Sequence, residues 1–216
     1  MTFGPMSFAQ QAPEKKDVTI AVGGKSLYYY LPLSIAEQLG YFKDEGLNVK
    51  IVDFQGGSRS LQAVVGGSAD VVSGAFEHTI SMQAKKQPMT AFVLQGRAPQ
   101  LALVVSNKTM KDYKQLSDLK GKKVGVTAPG SSSQMVANFI LKKGGLGPKD
   151  VAFIGVGSSS GAVSAIRSGQ IDALINLDPV ITILLKNGDA KLVADTRKVK
   201  ESESFFGGTM PAGCLY

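Results

Sequence analysis

Two stretches of the sequence decide the fold: residues 49–70, VKIVDFQGGSRSLQAVVGGSAD, and residues 151–172, VAFIGVGSSSGAVSAIRSGQID. Each contains a β-rich run, a turn of small residues, a helical run and a closing glycine-x-x-Asp, and the closing residues Asp70 and Asp172 lie 102 positions apart. A strand, a turn, a helix and a return strand make up a parallel β-α-β unit. The repeat therefore predicts two similar α/β lobes, with convergence of two ordinary β-α-β units as the alternative.

The same order of elements extends outward from both stretches. Residues 18–22 form a continuous β-rich run, residues 23–26 break it, and Leu31, Ile35 and Leu39 then recur at helical spacing. In the second half, a strand at 123–127 is followed by a small-residue turn and a helix at 132–143. We therefore expect lobe I at 17–104, lobe II at 105–204 and a return crossing segment at 205–216, so that two crossing segments join the lobes.

Composition and charge exclude several classes of protein. The 216 residues are 44% hydrophobic and 19% charged, which is enough apolar side chain to form a core. One cysteine, Cys214, excludes a disulfide scaffold and a cysteine-rich zinc site. The net charge of +7 is spread over scattered lysine pairs rather than one basic stripe, so we expect no nucleic-acid partner.

The two ends of the chain carry separate expectations. Residues 1–16 include Ser7-Phe8-Ala9, a small-x-small pattern followed by a polar stretch, which is typical of the tail of an export signal. A plain frayed terminus is the alternative. Residues 213–216 form an extended apolar run with no stop signal, and we expect the chain to be truncated there.

Five turns that follow strands predict the ligand site. They lie at 23–26, 55–58, 73–76, 129–133 and 157–160 and are rich in glycine or serine. In parallel sheets, ligands bind beyond the carboxyl ends of the strands, where helix N-termini leave N–H groups without partners. Such turns suit a small anionic or polar ligand, although a serine that begins a helix is more often only a structural cap.

The sequence predicts no catalysis. His78 is the only histidine, and no G-x-S-x-G elbow, Walker motif, complete dinucleotide fingerprint or metal-ligand spacing is present. We expect a protein that is not an enzyme and that holds no metal or cofactor. Arg97 could pair with a ligand carboxylate or sulfonate or face solvent, and Tyr28–Tyr30 could line a pocket or pack in the core.

Several phrases resemble one family of solute-binding proteins. They include residues 35–49, IAEQLGYFKDEGLNV, residues 116–126, LSDLKGKKVGV, and residues 168–173, SGQIDA. In this order they are similar to the nitrate/sulfonate/taurine and thiamine-precursor (SsuA/THI5-like) substrate-binding proteins of ABC transporters. The resemblance implies a type II periplasmic-binding fold, export to the periplasm, delivery to an ABC permease in the inner membrane, and capture of a small-molecule solute by hinge closure, with the protein acting as a monomer.

The resemblance also implies where the solute binds, and it leaves one alternative function open. Family members continue past the second crossing with helices that complete lobe I, so an exposed apolar face on lobe I is expected here. Pyrimidine synthases of thiamine biosynthesis share the fold but use a cysteine-rich motif, a histidine and pyridoxal phosphate, whereas this chain has one cysteine. The ligand-binding candidates are Ser26, Tyr28, Gly56, Gly57, Ser58, Gly74, Phe76, Glu77, His78, Ser131, Ser132, Ser133 and Asp178.

Overall fold

Two five-stranded sheets organise the chain in a computed structural model that describes residues 13–216. The predicted export-signal remnant therefore lies largely outside the described residues. The strands are β1 (Asp17–Val22), β2 (Asn48–Asp53), β3 (Val71–Ala75), β4 (Val93–Leu94), β5 (Ala102–Ser106), β6 (Lys123–Val126), β7 (Ala152–Gly155), β8 (Ala173–Asn176), β9 (Ala190–Asp195) and β10 (Gly213–Leu215).

Helices connect most of these strands. They are α1 (Leu31–Gln38), α2 (Tyr41–Asp44), α3 (Gly57–Val65), α4 (Glu77–Ala84), α5 (Ser132–Lys143), α6 (Ser160–Ser168), α7 (Val180–Lys186) and α8 (Val199–Phe206). The predicted helix at 132–143 is confirmed to the residue, and most other predicted elements lie within two or three residues of the observed ones. Sequence reasoning missed β9 and α8. In the part of the chain that the structure describes, no helix is both long and apolar enough to span a bilayer.

The two sheets repeat one topology. The first has the order β2-β1-β3-β10-β4 and the second the order β7-β6-β8-β5-β9. In each sheet the first three strands are parallel, while the remaining pairs are antiparallel. The β5 strand spans the predicted lobe boundary at residue 104 and lies wholly in the second sheet, whereas β10 returns to the first. The chain therefore crosses between the sheets twice, as expected.

The aspartates that close the repeat, Asp70 and Asp172, accept equivalent backbone hydrogen bonds in the two lobes. The Asp70 carboxylate accepts a hydrogen bond from the backbone N–H of Thr19 at 2.8 Å, and that of Asp172 accepts one from Lys123 at 3.0 Å. Each carboxylate thus satisfies an N–H in the first half of the middle one of the three parallel strands of its sheet, β1 or β6. The equivalent contacts support a true repeat over chance convergence.

Core packing differs between the lobes. In lobe II, α5 buries Val136, Ala137 and Ile140 completely. In lobe I, the helix expected from Leu31, Ile35 and Leu39 is present as α1, but these three side chains are 51%, 44% and 60% exposed, and Leu33 is the residue of α1 that is buried. Helical spacing predicted the element correctly but did not say which of its faces is buried. Phe92 and Leu94 of the β4 segment are exposed as well, so lobe I leaves apolar side chains uncovered on both elements.

Candidate functional site

The turns at the carboxyl ends of the parallel strands face each other across the two lobes. The N–H of Ser58, in the first turn of α3, donates to Ser131 Oγ at 3.0 Å. The hydroxyl of Ser58 donates to the carbonyl of Pro129 at 2.9 Å and lies 3.2 Å from Ser131 Oγ. The predicted meeting of residues 56–58 with residues 130–133 is therefore present, and the lobes touch directly there.

Close approach at this contact requires glycine. Gly56 has a φ of +86°, and a Cβ added to it would lie 2.7 Å from the Cβ of Ala128 in lobe II. A Cβ at Gly23 would lie 2.5 Å from the backbone N of Gly57. Side chains at either position would push the turns apart, because such separations are far below van der Waals contact.

The hollow at the centre of the contact is small. A cavity of about 20 Å³ separates the turns there, enough for about one water molecule. Its walls come from both lobes: Gly23, Leu27, Tyr29, Tyr30, Gly57, Ala75, Thr127, Ser132 and Leu177. The lobes are therefore closed on each other at this point, and the larger cavities lie around the contact rather than within it.

The largest of those cavities, about 620 Å³, lies beside the first crossing segment and is lined by both lobes. Tyr28, Arg97 and Asp178 are in its walls, as is Arg197, which sequence reasoning missed. Arg197 Nη1 donates to the Asp178 carboxylate at 3.2 Å, and its Nη2 and Nε donate to that of Asp195 at 2.7 and 2.9 Å. Burial opposes the charge of Asp195, but the hydrogen bonds from Arg197 outweigh it and hold the pKa of Asp195 below its ordinary value.

Several predicted ligand donors are already used inside the protein. In the first turn, the N–H groups of Gly24 and Lys25 donate to Asp53 Oδ1 at 2.7 and 2.9 Å. In lobe II, the Ser133 hydroxyl accepts from the backbone N–H of Thr127 at 3.0 Å and is fully buried. These groups stabilise their own turns, as structural caps do.

Glu77 and His78 lie buried at the start of α4, behind Gly57. His78 Nδ1 is 2.7 Å from the hydroxyl of Tyr216, while its Nε2 is buried with no partner among the described residues. A Cβ on Gly57 would lie 3.1 Å from the His78 ring. Burial lowers the pKa of His78 to about 4 and raises that of Glu77 to about 7. His78 is therefore neutral near neutral pH, whereas Glu77 is about half protonated there.

The remaining candidates divide between the rim and the core of lobe I. Ser26 and Tyr28 are exposed at the rim, and the N–H of Tyr28 donates to the Asp178 carbonyl at 3.1 Å. Gly74 pairs with Cys214 in the sheet, and Phe76 packs on the apolar cluster around Val72. The structure therefore brings Gly56, Gly57, Ser58, Ser131 and Ser132 together, and it places Gly74 and Phe76 in the interior of lobe I.

One further cavity, of about 380 Å³, lies between α6 and α7 beside the first turn of lobe I. Five serines line it: Ser26, Ser158–Ser160 and Ser164. The turn at 157–160 was among the five expected to face the ligand, but its serines were not among the candidate residues.

Comparison with solved structures places this architecture in a class. A solved protein from Bordetella bronchiseptica is 63% identical, with a TM-score of 0.92 over 94% of this chain and 64% of its own. The alkanesulfonate-binding protein SsuA from Xanthomonas axonopodis pv. citri, bound to MOPS, is 24% identical, with a TM-score of 0.69 over 94% of this chain and 66% of its own. Two lobes, two crossings and facing turns define the type II periplasmic binding protein fold.

The family follows from the sequence comparison. The NMT1/THI5-like family model matches residues 28–195, and the chain belongs to that family. Two curated relatives are each 27% identical: a 4-amino-5-hydroxymethyl-2-methylpyrimidine phosphate synthase of Schizosaccharomyces pombe, matched over 74% of this chain and 45% of its own, and the putative binding protein YtlA of Bacillus subtilis, over 77% and 50%. The chain spans about half the length of these relatives.

Proposed function

We propose that this protein is the extracytoplasmic solute-binding component of an ABC importer and captures a small anionic or polar organic solute between its lobes by hinge closure. One observation carries the proposal: turns from the two lobes, 71 to 73 positions apart in sequence, are hydrogen-bonded to each other at Ser58, Pro129 and Ser131. Two lobes that meet through few polar contacts can open by bending at the crossing segments. A solute that contacts both lobes favours the closed form by the contacts it gains there.

The chemistry of the surrounding cavities supports a polar solute. The cavity beside the crossing segment combines the guanidinium groups of Arg97 and Arg197 with the carboxylate of Asp178 and the amides of Gln95 and Gln100. Charged and amide groups on the walls of a concave site fix the orientation of a small ligand. Periplasmic location and an inner-membrane permease partner belong to the same proposal, as does action as a monomer.

Isothermal titration with nitrate, taurine, alkanesulfonates, carboxylates and pyrimidines tests the proposal. We expect at least one of these solutes to bind, and binding to weaken in Gly56→Ala, where the added methyl group would meet Ala128. Gly67→Ala is the matched control. Gly67 has a φ of +73°, but no atom lies within 4 Å of an added Cβ there, so that variant carries the backbone strain alone. The proposal fails if the whole panel is silent, or if the two variants weaken binding equally.

The second candidate function is binding or synthesis of a thiamine pyrimidine precursor, which the relationship to the S. pombe synthase favours. Pyridoxal phosphate, the cofactor of that chemistry, is held as a Schiff base by a lysine. Among the described residues, none of the cavities around the interlobe contact has a lysine in its walls, and Lys25 of the first turn pairs with Glu37 at 2.7 Å. These cavity walls therefore offer no lysine for that cofactor, and this supports solute binding as the first candidate. A visible absorbance band that forms on addition of pyridoxal phosphate and is trapped by borohydride would reverse this preference.

A further inference from the structure

The two serine-rich turns of lobe II differ in whether their polar groups are used. In the turn before α5, Ser131 Oγ bonds to Ser58 and Ser133 Oγ bonds to Thr127. In the turn before α6, the hydroxyls of Ser158, Ser159 and Ser160 have no partner among the described residues. The hydroxyls of the second turn are therefore available to hydrogen-bond a ligand or solvent.

The backbone at the start of α6 is equally unpaired. The first N–H in this region with an acceptor is that of Ala162, which donates to the Ser159 carbonyl at 3.1 Å. Within residues 13–216, the N–H groups of the four residues before it, 158–161, find no acceptor. Such groups carry the positive end of the helix dipole.

Ser158 supplies a second and independent indication of a ligand. It lines the cavity of about 380 Å³ yet is only 7% exposed, and its hydroxyl is unpartnered. A Cβ on Gly24 would lie 2.2 Å from Ser158 Oγ, so the glycine of the lobe I turn leaves the room that this hydroxyl occupies. The residue is mostly buried and its hydroxyl has no protein partner, so a ligand or water at the cavity wall can complete its hydrogen bonding.

The charge of the cavity wall selects the ligand. Arg167 is the one charged residue in the lining, and its Nε donates to Asp189 at 2.8 Å while its two terminal nitrogens have no partner among the described residues. No carboxylate faces the cavity from the part of the chain that the structure describes. The wall is therefore rich in donors and positive in charge.

From these observations we propose that the start of α6, with Ser158 and Ser159 of lobe II and Ser26 of lobe I, is a binding site for a small oxyanion. The site rests on the proposed function, because residues from both lobes would bind the anionic group of the captured solute. It is separate from the contact between Ser58 and Ser131, whose hydroxyls are already paired. Backbone N–H groups and hydroxyls around a helix start are suited to sulfate, sulfonate or phosphate oxygens.

Inorganic sulfate is the probe that tests the site, with chloride at matched ionic strength as the reference. In a ¹⁵N-resolved NMR titration of the whole chain, we expect the amide signals of residues 158–161 to move in a saturable manner. Ser158→Ala should weaken sulfate binding about 10- to 150-fold, the loss of one hydrogen bond to a charged group. Ser159→Asp should abolish it, because a carboxylate then occupies the helix start. That variant should also raise the melting temperature, since aspartate is a good N-cap, which separates loss of binding from loss of folding.

Ser132→Ala is the matched control, because Ser132 begins α5 in the equivalent turn. We expect it to change sulfate affinity less than twofold. Sulfate binding that survives Ser159→Asp, or that is lost in Ser132→Ala instead, would overturn the site, as would the absence of saturable shifts at residues 158–161. A panel solute that still binds Ser159→Asp with wild-type affinity would leave the proposed function standing and remove only this site. Silence of the whole panel would remove both.

Discussion

α1 in lobe I and α5 in lobe II each follow the middle one of the three parallel strands of their sheet, yet the two helices are packed differently. Ile35 of α1 is 44% exposed, whereas Ile140 of α5 is fully buried between sheet and helix. The helix starts after β3 and β8 differ as well. Lobe I has Glu77 and His78 at the positions where lobe II, 102 residues further on, has Pro179 and Val180. The same topology therefore has a buried apolar core in lobe II. In lobe I, α1 is partly exposed and the start of α4 buries two ionisable side chains.

Truncation of one isoleucine in each of these helices is expected to show the largest difference between the lobes. Ile140→Ala should lower the free energy of unfolding by about 2 to 5 kcal/mol, because it leaves a cavity in a close-packed core. Ile35→Ala should cost less than about 1 kcal/mol, because its side chain already meets water. Urea denaturation of both variants measures the contrast, and equal losses would contradict the difference in packing.

The ionisable pair in lobe I predicts opposing pH dependences. His78 has a folded pKa of about 4 against 6.5 unfolded, so its contribution is complete above pH 6.5 and is lost as the pH falls towards 4. Glu77 has a folded pKa of about 7 against 4.5, so its contribution is complete below pH 4.5 and is lost as the pH rises towards 7. Between these limits the two effects largely cancel in the wild-type protein.

Removing one member of the pair should therefore reveal the other. Relative to wild type, the stability of Glu77→Gln should increase from pH 4.5 to 6.5, and that of His78→Gln should decrease over the same range, by up to about 3 kcal/mol each. Thermal or urea unfolding across this range measures both slopes. Parallel pH profiles for the two variants would show that these groups are not buried as the structure places them.

A smaller effect is expected at the contact between the lobes. A double-mutant cycle of Ser58→Ala and Ser131→Ala should give a coupling energy of roughly 0.5 to 1.5 kcal/mol, the net value of one hydrogen bond. The same cycle with Ser132→Ala is the control, because the Ser132 hydroxyl has no partner among the described residues. A coupling in the control as large as that with Ser131 would contradict the assigned contact.

The smallest effect concerns the aspartates that the lobes share. Hydrogen bonds from Lys15 and from the Thr19 backbone lower the pKa of Asp70 below its ordinary 3.8. Its contribution is therefore present above that value and is lost as the pH falls through the lowered pKa. Asp70→Asn should reduce the loss of stability in acid measured by circular dichroism, with little change at pH 7. An unchanged acid transition would show that the Asp70 contact is not maintained in solution.

Sequence patterns determined the class of fold, and the location of the site remains a prediction from the same patterns. The repeat over 49–70 and 151–172 encoded two β-α-β units, and glycines at 56, 57 and 23 encoded a close approach of backbones, because local periodicity and backbone freedom are properties of short stretches. Of the five predicted turns, those at 55–58 and 129–133 are hydrogen-bonded to each other, whereas Gly74 and Phe76 of the turn at 73–76 lie inside lobe I. Arg197 and Tyr216 could not be found in this way, since their partners Asp178 and His78 lie 19 and 138 positions away.

The tertiary structure alone decided which polar groups are free and which apolar groups are covered. Ser131 and Ser158 each follow the glycine of a Gly-Ser-Ser-Ser turn, yet Ser131 is paired with Ser58 across the lobes and Ser158 is mostly buried without a partner among the described residues. Likewise, helical spacing showed that Leu31, Ile35 and Leu39 share a face of α1, but not that this face is exposed. Both distinctions depend on which distant segments come into contact, and that is set by the packing of the whole chain rather than by any local pattern.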